Sequence, residues 1–326
     1  QLLIQVVEAV LPSKIEMRGI ELRLNQTQSI RLQRALQQLQ SLHSHATPET
    51  VVTVADTIPI HQEDSVLKGH GTSEREGEVV ATLCGVVERV NKLVYVRTLR
   101  ARYKPEVGDI VVGRVLEVAQ KRWKLEINYG QDAVLMLSSM NLPDGIQRRR
   151  TAIDELNMRS MFEENDVVCA EVRNFHNDGS LQLQARSQKY GKLERGQLLR
   201  VAPYLVKRQK QHFFHLEEHG VDLILGCNGF IWVGEHVEIA NVDDSAQVNS
   251  SSCETPLPTR QHICRISNAV RVLTRLGFTL TLNLIMDTVA LSNVQKLGIH
   301  EMVEPEFHVT VAEKEAERRS LHPRRK

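Results

Sequence analysis

At 326 residues the chain is long enough to bury a substantial core and to divide into roughly two to four compact units, which excludes a single small module. Lys and Arg number 41 against 40 Asp and Glu, a formal charge of +1, so total charge forces no polyanionic partner and any nucleic-acid contact must come from local patches. Aromatic residues make up 4% of the chain, which argues against a surface built from many stacked bases.

The opening "QLLIQVVEAVLPSK" is apolar but short, carries Glu8 and lacks a basic leader, so it predicts neither a membrane span nor a secretory signal. Because the first methionine is Met17, residues 1–16 are expected to be an extension upstream of the folded unit. The spacing of Leu32, Leu36, Leu39 and Leu42 in "SIRLQRALQQLQSLHS" predicts an amphipathic helix within an N-terminal extension, residues 1–48, that packs on its own protein or on a partner chain. From "VVTVADTIPI" (51–60) through "EVVATLCGVVERVNKLVYVRTL" (78–99) the residues turn β-branched and alternating, broken by "KGHGT" at 68–72. This predicts a small β domain over 49–104.

Residues 105–188 carry five strand-like runs: "VGDIVVGRVLEV", "RWKLEIN", "DAVLMLS", "DVVCAEVRNF" and "GSLQLQAR". Trp123, Leu125 and Ile127 alternate with Lys124, Glu126 and Asn128, so one set faces a core and the other solvent. Asn177-Asp178-Gly179 predicts a tight turn before the last strand. Five short strands with one long insertion, 139–165, predict an OB-type barrel, and "TAIDELNMRSMF" within the insertion predicts a short helix.

Residues 189–312 begin with a connector and further strands. "EIANVDDSAQVNSSSCETPLPTR" (238–260) is expected to be an exposed inserted loop. Ile263, Ile266, Val270 and Leu273 predict a helix ended by Gly277, and "LTLNLIMDTVALSNVQKL" predicts a second helix in which a strand start stays open. A charged helical tail, 313–326, ends on basic residues. The five cysteines, Cys84, Cys169, Cys227, Cys253 and Cys264, are odd in number and form no C-x-x-C; a reducing intracellular setting fits better than a disulfide framework or a zinc site.

Several segments together resemble one known family. "VGDIVVGRVLEV", "GQDAVLMLSSMNL", "FEENDVVCAEV" and "DGSLQLQAR" are similar to an S1-type RNA-binding domain. Joined in order by "KGHGT", "QKRWKLEIN", "LSSMNLPDGIQRRR", "DELNMR", "RSQKYGKL", "LVKRQKQHF" and "GCNGFIWV", they resemble the ribosomal RNA-processing protein four family of exosome cap subunits, from about residue 49 to 235. The resemblance implies a mixed β and α+β multidomain chain of N-terminal β domain, S1-type barrel and KH-type domain. It implies a non-catalytic subunit, without cofactor or metal and away from membranes. Such a subunit joins other cap subunits on a ring of RNase-PH-like proteins and guides the 3′ end of single-stranded RNA to an associated exoribonuclease. Nucleus and nucleolus, with cytoplasm, are the implied locations.

Three basic clusters are candidates for RNA contact. Lys121, Arg122 and Lys124 lie on or beside a barrel strand, where only alternate residues share a face. Arg148, Arg149 and Arg150 follow "NLPDG" in the insertion and suit phosphates or acidic residues of a ring subunit equally. Lys207, Arg208 and Lys210 precede "HFFH" and read either as an RNA contact or as a solvated face.

Gly226-Cys227-Asn228-Gly229 has the G-x-x-G form of an RNA-gripping KH loop, yet it lacks a basic residue and is flanked by the strand-like "VDLIL" and "FIWV". A packing turn, with Asn228 satisfying buried groups or taking a positive φ, is the expected role, and the cap family shows this G-x-N-G variant. His212, His215 and His219 would share a face only on a helix; a strand here sends His212 and His215 to opposite faces and argues against a zinc site. Glu163/Glu164 and Asp243/Asp244 have no partner motif for metal-assisted hydrolysis. The competing readings are a free S1/KH RNA-binding factor and, with less room for catalytic domains, an RNA-degrading enzyme.

Overall fold

The computed structural model describes residues 23–43, 51–59, 67–98, 102–141, 149–187, 189–236 and 255–321. The proposed 1–16 extension, Asp243/Asp244, most of the 238–260 loop, Arg148 and the last five residues lie outside them. Two compact units form, one containing residues 102–311 and the other 25–101 with 312–326. No helix among the described residues is long and apolar enough to cross a membrane.

In the second of these units, helix α1 (Gln26–His43) buries Leu32 and Leu39 of the expected leucine face together with Ala35, while Leu36 is half-buried and the Leu42 side chain lies outside the described ones. Its Arg31 forms a two-pronged pair with Glu313, at 2.9 and 2.7 Å. Strands β1 (Val51–Val52), β2 (Leu67–Lys68), β5 (Gly85–Val90) and β6 (Leu93–Arg97) form a sheet in the order β1-β5-β6-β2, while β3 (Thr72–Arg75) and β4 (Glu78–Ala81) make a separate hairpin. Val52, Ile58, Ala81, Val94 and Val96 form its small core. Gly69 and Gly71 of the "KGHGT" break lie hard against Tyr95 and Val96, so the glycines let the chain pass over β6.

The other unit opens with the barrel. Strands β7 (Ile110–Ala119), β8 (Arg122–Glu126), β9 (Ala133–Met140), β10 (Val167–Phe175) and β11 (Leu181–Ala185) run in the order β11-β9-β8-β7-β10, and β10 pairs back with β11 to close the sheet. Trp123, Leu125 and Ile127 are fully enclosed, as their alternation requires. Each such side chain contributes roughly 1.5–3 kcal/mol by leaving water. In the insertion between β9 and β10, short helices α2 (Ala152–Leu156) and α3 (Met158–Met161) form. The Trp123 indole donates to the Phe162 carbonyl at 3.2 Å and meets its ring edge-on at 5.2 Å, pinning the end of the insertion to the barrel core. At the β10–β11 turn Gly179 has φ +82°, and Asp178 accepts from the amide and hydroxyl of Ser180. Strand β12 (Gly191–Leu193) extends the sheet along β10.

The KH-type part follows in the same unit. Strands β13 (Gly196–Arg200), β14 (Phe213–Leu216), β15 (Val221–Leu225) and β16 (Phe230–Glu235) form an antiparallel sheet in the order β13-β16-β15-β14. Alternate residues face two ways. Leu198, Phe213, Ile224, Phe230 and Trp232 pack on Ile110, Val112, Val167, Cys169 and Tyr190 of the barrel side. Val221, Leu223, Leu225, Ile231 and Val233 are buried on the opposite face, toward helix α4 (Leu257–Arg275). Helix α5 (Leu282–Val294) packs on α4, and Thr281 caps it by accepting from the Leu284 amide. The strand start left open there reduces to one bridge, Leu280 to Val206.

The expected loop 238–260 ends earlier than its composition suggested. Its residues 257–260 are the first turn of α4, where Pro258 is tolerated because the first amides of a helix have no intrahelical partner. Gly277, φ +74°, follows α4 as anticipated. Helix α6 (Pro305–Leu321) begins before the charged tail expected from 313.

Candidate nucleic-acid interface and the glycine turn

Gly226 to Gly229 connects β15 to β16, two strands, and turns tightly with the Gly229 amide donating to the Gly226 carbonyl at 3.0 Å. The turn is pressed into the barrel. The Cys227 amide donates to the Ile110 carbonyl at 2.9 Å, and the Asn228 side-chain amide donates to the carbonyls of Val112 and Ile127 at 2.7 and 2.9 Å. Asn128 returns a hydrogen bond to the Asn228 carbonyl at 2.9 Å. With Asn228 at 0% exposure, none of its polar atoms is open to a phosphate.

Both glycines are sterically required. A Cβ at Gly226 would lie 2.4 Å from the Phe230 carbonyl oxygen, and one at Gly229 would lie 2.5 Å from that of Val201. Gly229, φ +83°, supplies the left-handed conformation, so Asn228 serves by its amide and not by a positive φ. Cys227 joins the barrel core, where burial pushes its thiol up to about 11 and leaves it protonated, as burial also does more strongly for Cys169. The buried His212 beside it accepts from the Gln209 amide through Nε2 and so donates from Nδ1 to the Leu225 carbonyl at 2.7 Å. It therefore stands apart from the exposed His215, three residues further on.

The first two basic clusters come together at one residue of β9. The Lys121 carbonyl accepts from the Leu137 amide at 3.0 Å, and Arg150 Nε donates to the Leu137 carbonyl at 3.1 Å. Lys121 occupies the β7–β8 turn with φ +61° and pairs with Glu155 of α2 at 3.0 Å. Lys124 bonds Glu117 at 2.6 Å, which holds that carboxyl below its ordinary range. Arg150 also donates to the Met140 carbonyl, so its guanidinium fastens the insertion to β9. Arg122 and Arg149 are exposed and form no ion pair among the described residues, leaving two guanidinium forks toward solvent.

The third cluster lies at the other end of β7. Arg208 forks onto Asp109 at 2.8 and 3.0 Å and onto the Lys104 carbonyl at 2.6 Å. Asp109 is 6% exposed and also accepts from the Tyr103 hydroxyl and the Glu106 amide. Burial works against its charge, but these hydrogen bonds outweigh it and hold the carboxyl below the usual range. Burial and the Asp109 charge push the Tyr103 hydroxyl far up, so it stays a donor. Arg208 thus joins the KH-type part to the foot of the barrel, while Lys207 and Lys210 remain exposed. Glu164, one of the acidic residues weighed for hydrolysis, is paired with Arg159 at 2.9 Å, and the Glu163 amide caps onto Asp166.

A closed five-stranded barrel with a KH-type sheet locked against its side defines an S1/KH nucleic-acid-binding protein. The family model described as "RRP4, S1 domain" matches residues 102–174, and the KH domain model matches 196–239. The chain is 65% identical over 314 residues to the exosome complex component RRP4 homolog of Arabidopsis thaliana, spanning 93% of this chain and 98% of that one. It is 40% identical over 274 residues to exosome complex component rrp4 of Schizosaccharomyces pombe, spanning 79% and 80%. It is 48% identical over 223 residues to exosome complex component RRP4 of Bos taurus, spanning 68% and 74%. The chain belongs to the RRP4 family of exosome complex components, a non-catalytic family of RNA-binding cap subunits.

Proposed function

We propose that this chain works as an exosome cap subunit over which RNA passes at one end of the S1-type barrel, where the β7–β8 turn carrying Lys121 and Arg122 and the insertion residue Arg149 both adjoin β9. The observation that carries the reading is the convergence of two basic clusters on Leu137, with the Arg122 and Arg149 guanidinium groups exposed and unpaired among the described residues. This end carries the β7–β8 turn and the β8–β9 face, the surfaces through which OB-type barrels hold oligonucleotides. Arg148, adjacent in sequence, belongs to the same proposed contact. Lys207 and Lys210 are assigned a secondary role because their neighbour Arg208 is committed to Asp109.

The partners of this reading are RNase-PH-like ring subunits, the other cap subunits and an associated 3′→5′ exoribonuclease. The compartments are nucleus, nucleolus and cytoplasm. Working boundaries are an extension at 1–48, a β domain at 49–104, the S1-type barrel at 105–188, the KH-type domain at 189–312 and a charged tail from 313. In a reconstituted assembly, the Arg122→Ala/Arg149→Ala pair should weaken single-stranded RNA binding and lower the slope of log K against log salt by about 1.4, at ~0.7 per lost phosphate contact. An unchanged slope, or a larger loss from Lys207→Ala/Lys210→Ala, overturns the assignment.

A further inference from the structure

His215, Asp222 and His236 form a cluster that the RNA-binding reading does not use. Asp222 on β15 stands directly opposite His215 on β14, and opposite Gly234 on its other side. His236, two residues past Gly234, is the diagonal neighbour of Asp222, a distance that long side chains bridge. The His236 amide extends the ladder by donating to the Gly220 carbonyl at 3.1 Å. Three neighbouring chain segments therefore deliver three side chains to one point at the rim of the sheet.

The two imidazoles present the same nitrogen to the same carboxylate. His215 Nδ1 lies 2.7 Å from Asp222 Oδ1, and His236 Nδ1 lies 3.0 and 2.9 Å from Oδ1 and Oδ2. The rings are tilted at 42° with centroids 3.8 Å apart, and the three ligand atoms all lie within 4.8 Å of one another. Around a tetrahedral zinc ion, with bonds of about 2.0–2.2 Å, neighbouring ligand atoms stand roughly 3.3 Å apart. The carboxylate–imidazole distances would open by roughly 0.3–0.6 Å to seat the ion. Two imidazole nitrogens out of three donors favour zinc over calcium or magnesium, which take oxygen.

We propose that His215, Asp222 and His236 bind one zinc ion, with water in the fourth position. His215 and His236 side chains are 37% and 35% exposed, which leaves that position open to solvent. The ion takes the Nδ1 lone pair of each neutral imidazole, so in the metal-bound form the single ring proton sits on Nε2. The ion ties the chain leaving β16 to β15 and β14, a structural role distinct from the RNA surface beside β9.

The test titrates zinc chloride into the metal-stripped full chain by calorimetry, in the wild type and in His215→Ala, His236→Ala and Asp222→Asn. The wild type should bind one more zinc per chain than any of the three variants, and zinc should raise its thermal midpoint but not theirs. Cobalt(II) should give tetrahedral visible absorption bands in the wild type only. Asp222→Asn keeps the shape of the side chain and separates loss of metal from loss of folding. Equal zinc stoichiometry in wild type and variants overturns the proposal. So does a lost equivalent that follows His219→Ala, on the neighbouring His219–His262 ring pair, and not the three residues named.

Discussion

Replacing Asn228 by alanine should cost stability before it costs RNA affinity. The substitution removes the donors to the Val112 and Ile127 carbonyls and leaves both facing a buried void. A hydrogen bond contributes about 1 kcal/mol net and an unsatisfied buried group costs about 1–3 kcal/mol. The Cys227 amide bond to Ile110 and the Asn128 bond to the residue 228 carbonyl are made to the main chain and survive. A total loss of roughly 2–4 kcal/mol follows. Asn228→Asp should be worse, because it sets carboxylate oxygens against two carbonyl oxygens and donates nothing.

Urea unfolding followed by tryptophan fluorescence reads the effect directly. The chain has two tryptophans: Trp123 in the barrel core and Trp232 at the contact between the KH-type sheet and the barrel. If both variants stay within about 0.5 kcal/mol of wild type while RNA binding falls tenfold, the turn is an RNA clamp and the packing argument is wrong.

Arg208→Ala should lower stability by about 1–3 kcal/mol by stripping the fork from the buried Asp109, with little change in RNA affinity; a purely RNA-directed effect contradicts this. Because the folded Asp109 carboxyl is held below its ordinary range, its stabilisation is present above that range and fades as pH falls through the folded value. Arg208→Ala should flatten that acid dependence. His308 gives the opposite kind of titration. Burial pushes its imidazole down to about 4, so between about pH 6.5 and 4 the unfolded chain takes up the proton first. Stability should be full above that window, fall by up to about 3 kcal/mol across it and level off below; an equal slope in His308→Gln refutes the assignment.

The barrel was legible because its signals are local. Trp123, Leu125 and Ile127 alternate within five residues, and Asn177-Asp178-Gly179 is a turn by its own chemistry. The strands around the glycine turn were legible for the same reason. What the turn docks on was not, because Val112 and Ile127 lie 116 and 101 residues away in sequence. The three basic clusters looked alike as strings of Lys and Arg. Their differences lie in carbonyls and carboxylates supplied from elsewhere: Leu137 and Met140 for Arg150, Glu117 for Lys124, Asp109 for Arg208. The His215–Asp222–His236 cluster escaped a search by spacing because sheet register, and not sequence interval, assembles it. The start of α4 was hidden by a Ser- and Pro-rich run whose last prolines suit a helix entrance.

The most direct test of the central claim is native purification of the tagged chain, with identification of its partners and a 3′→5′ RNA-decay assay on the assembly and on the chain alone. The account predicts that RNase-PH-like subunits copurify in stoichiometric amounts, that the assembly degrades RNA and that the isolated chain does not. Decay by the isolated chain, or recovery without ring subunits, contradicts it.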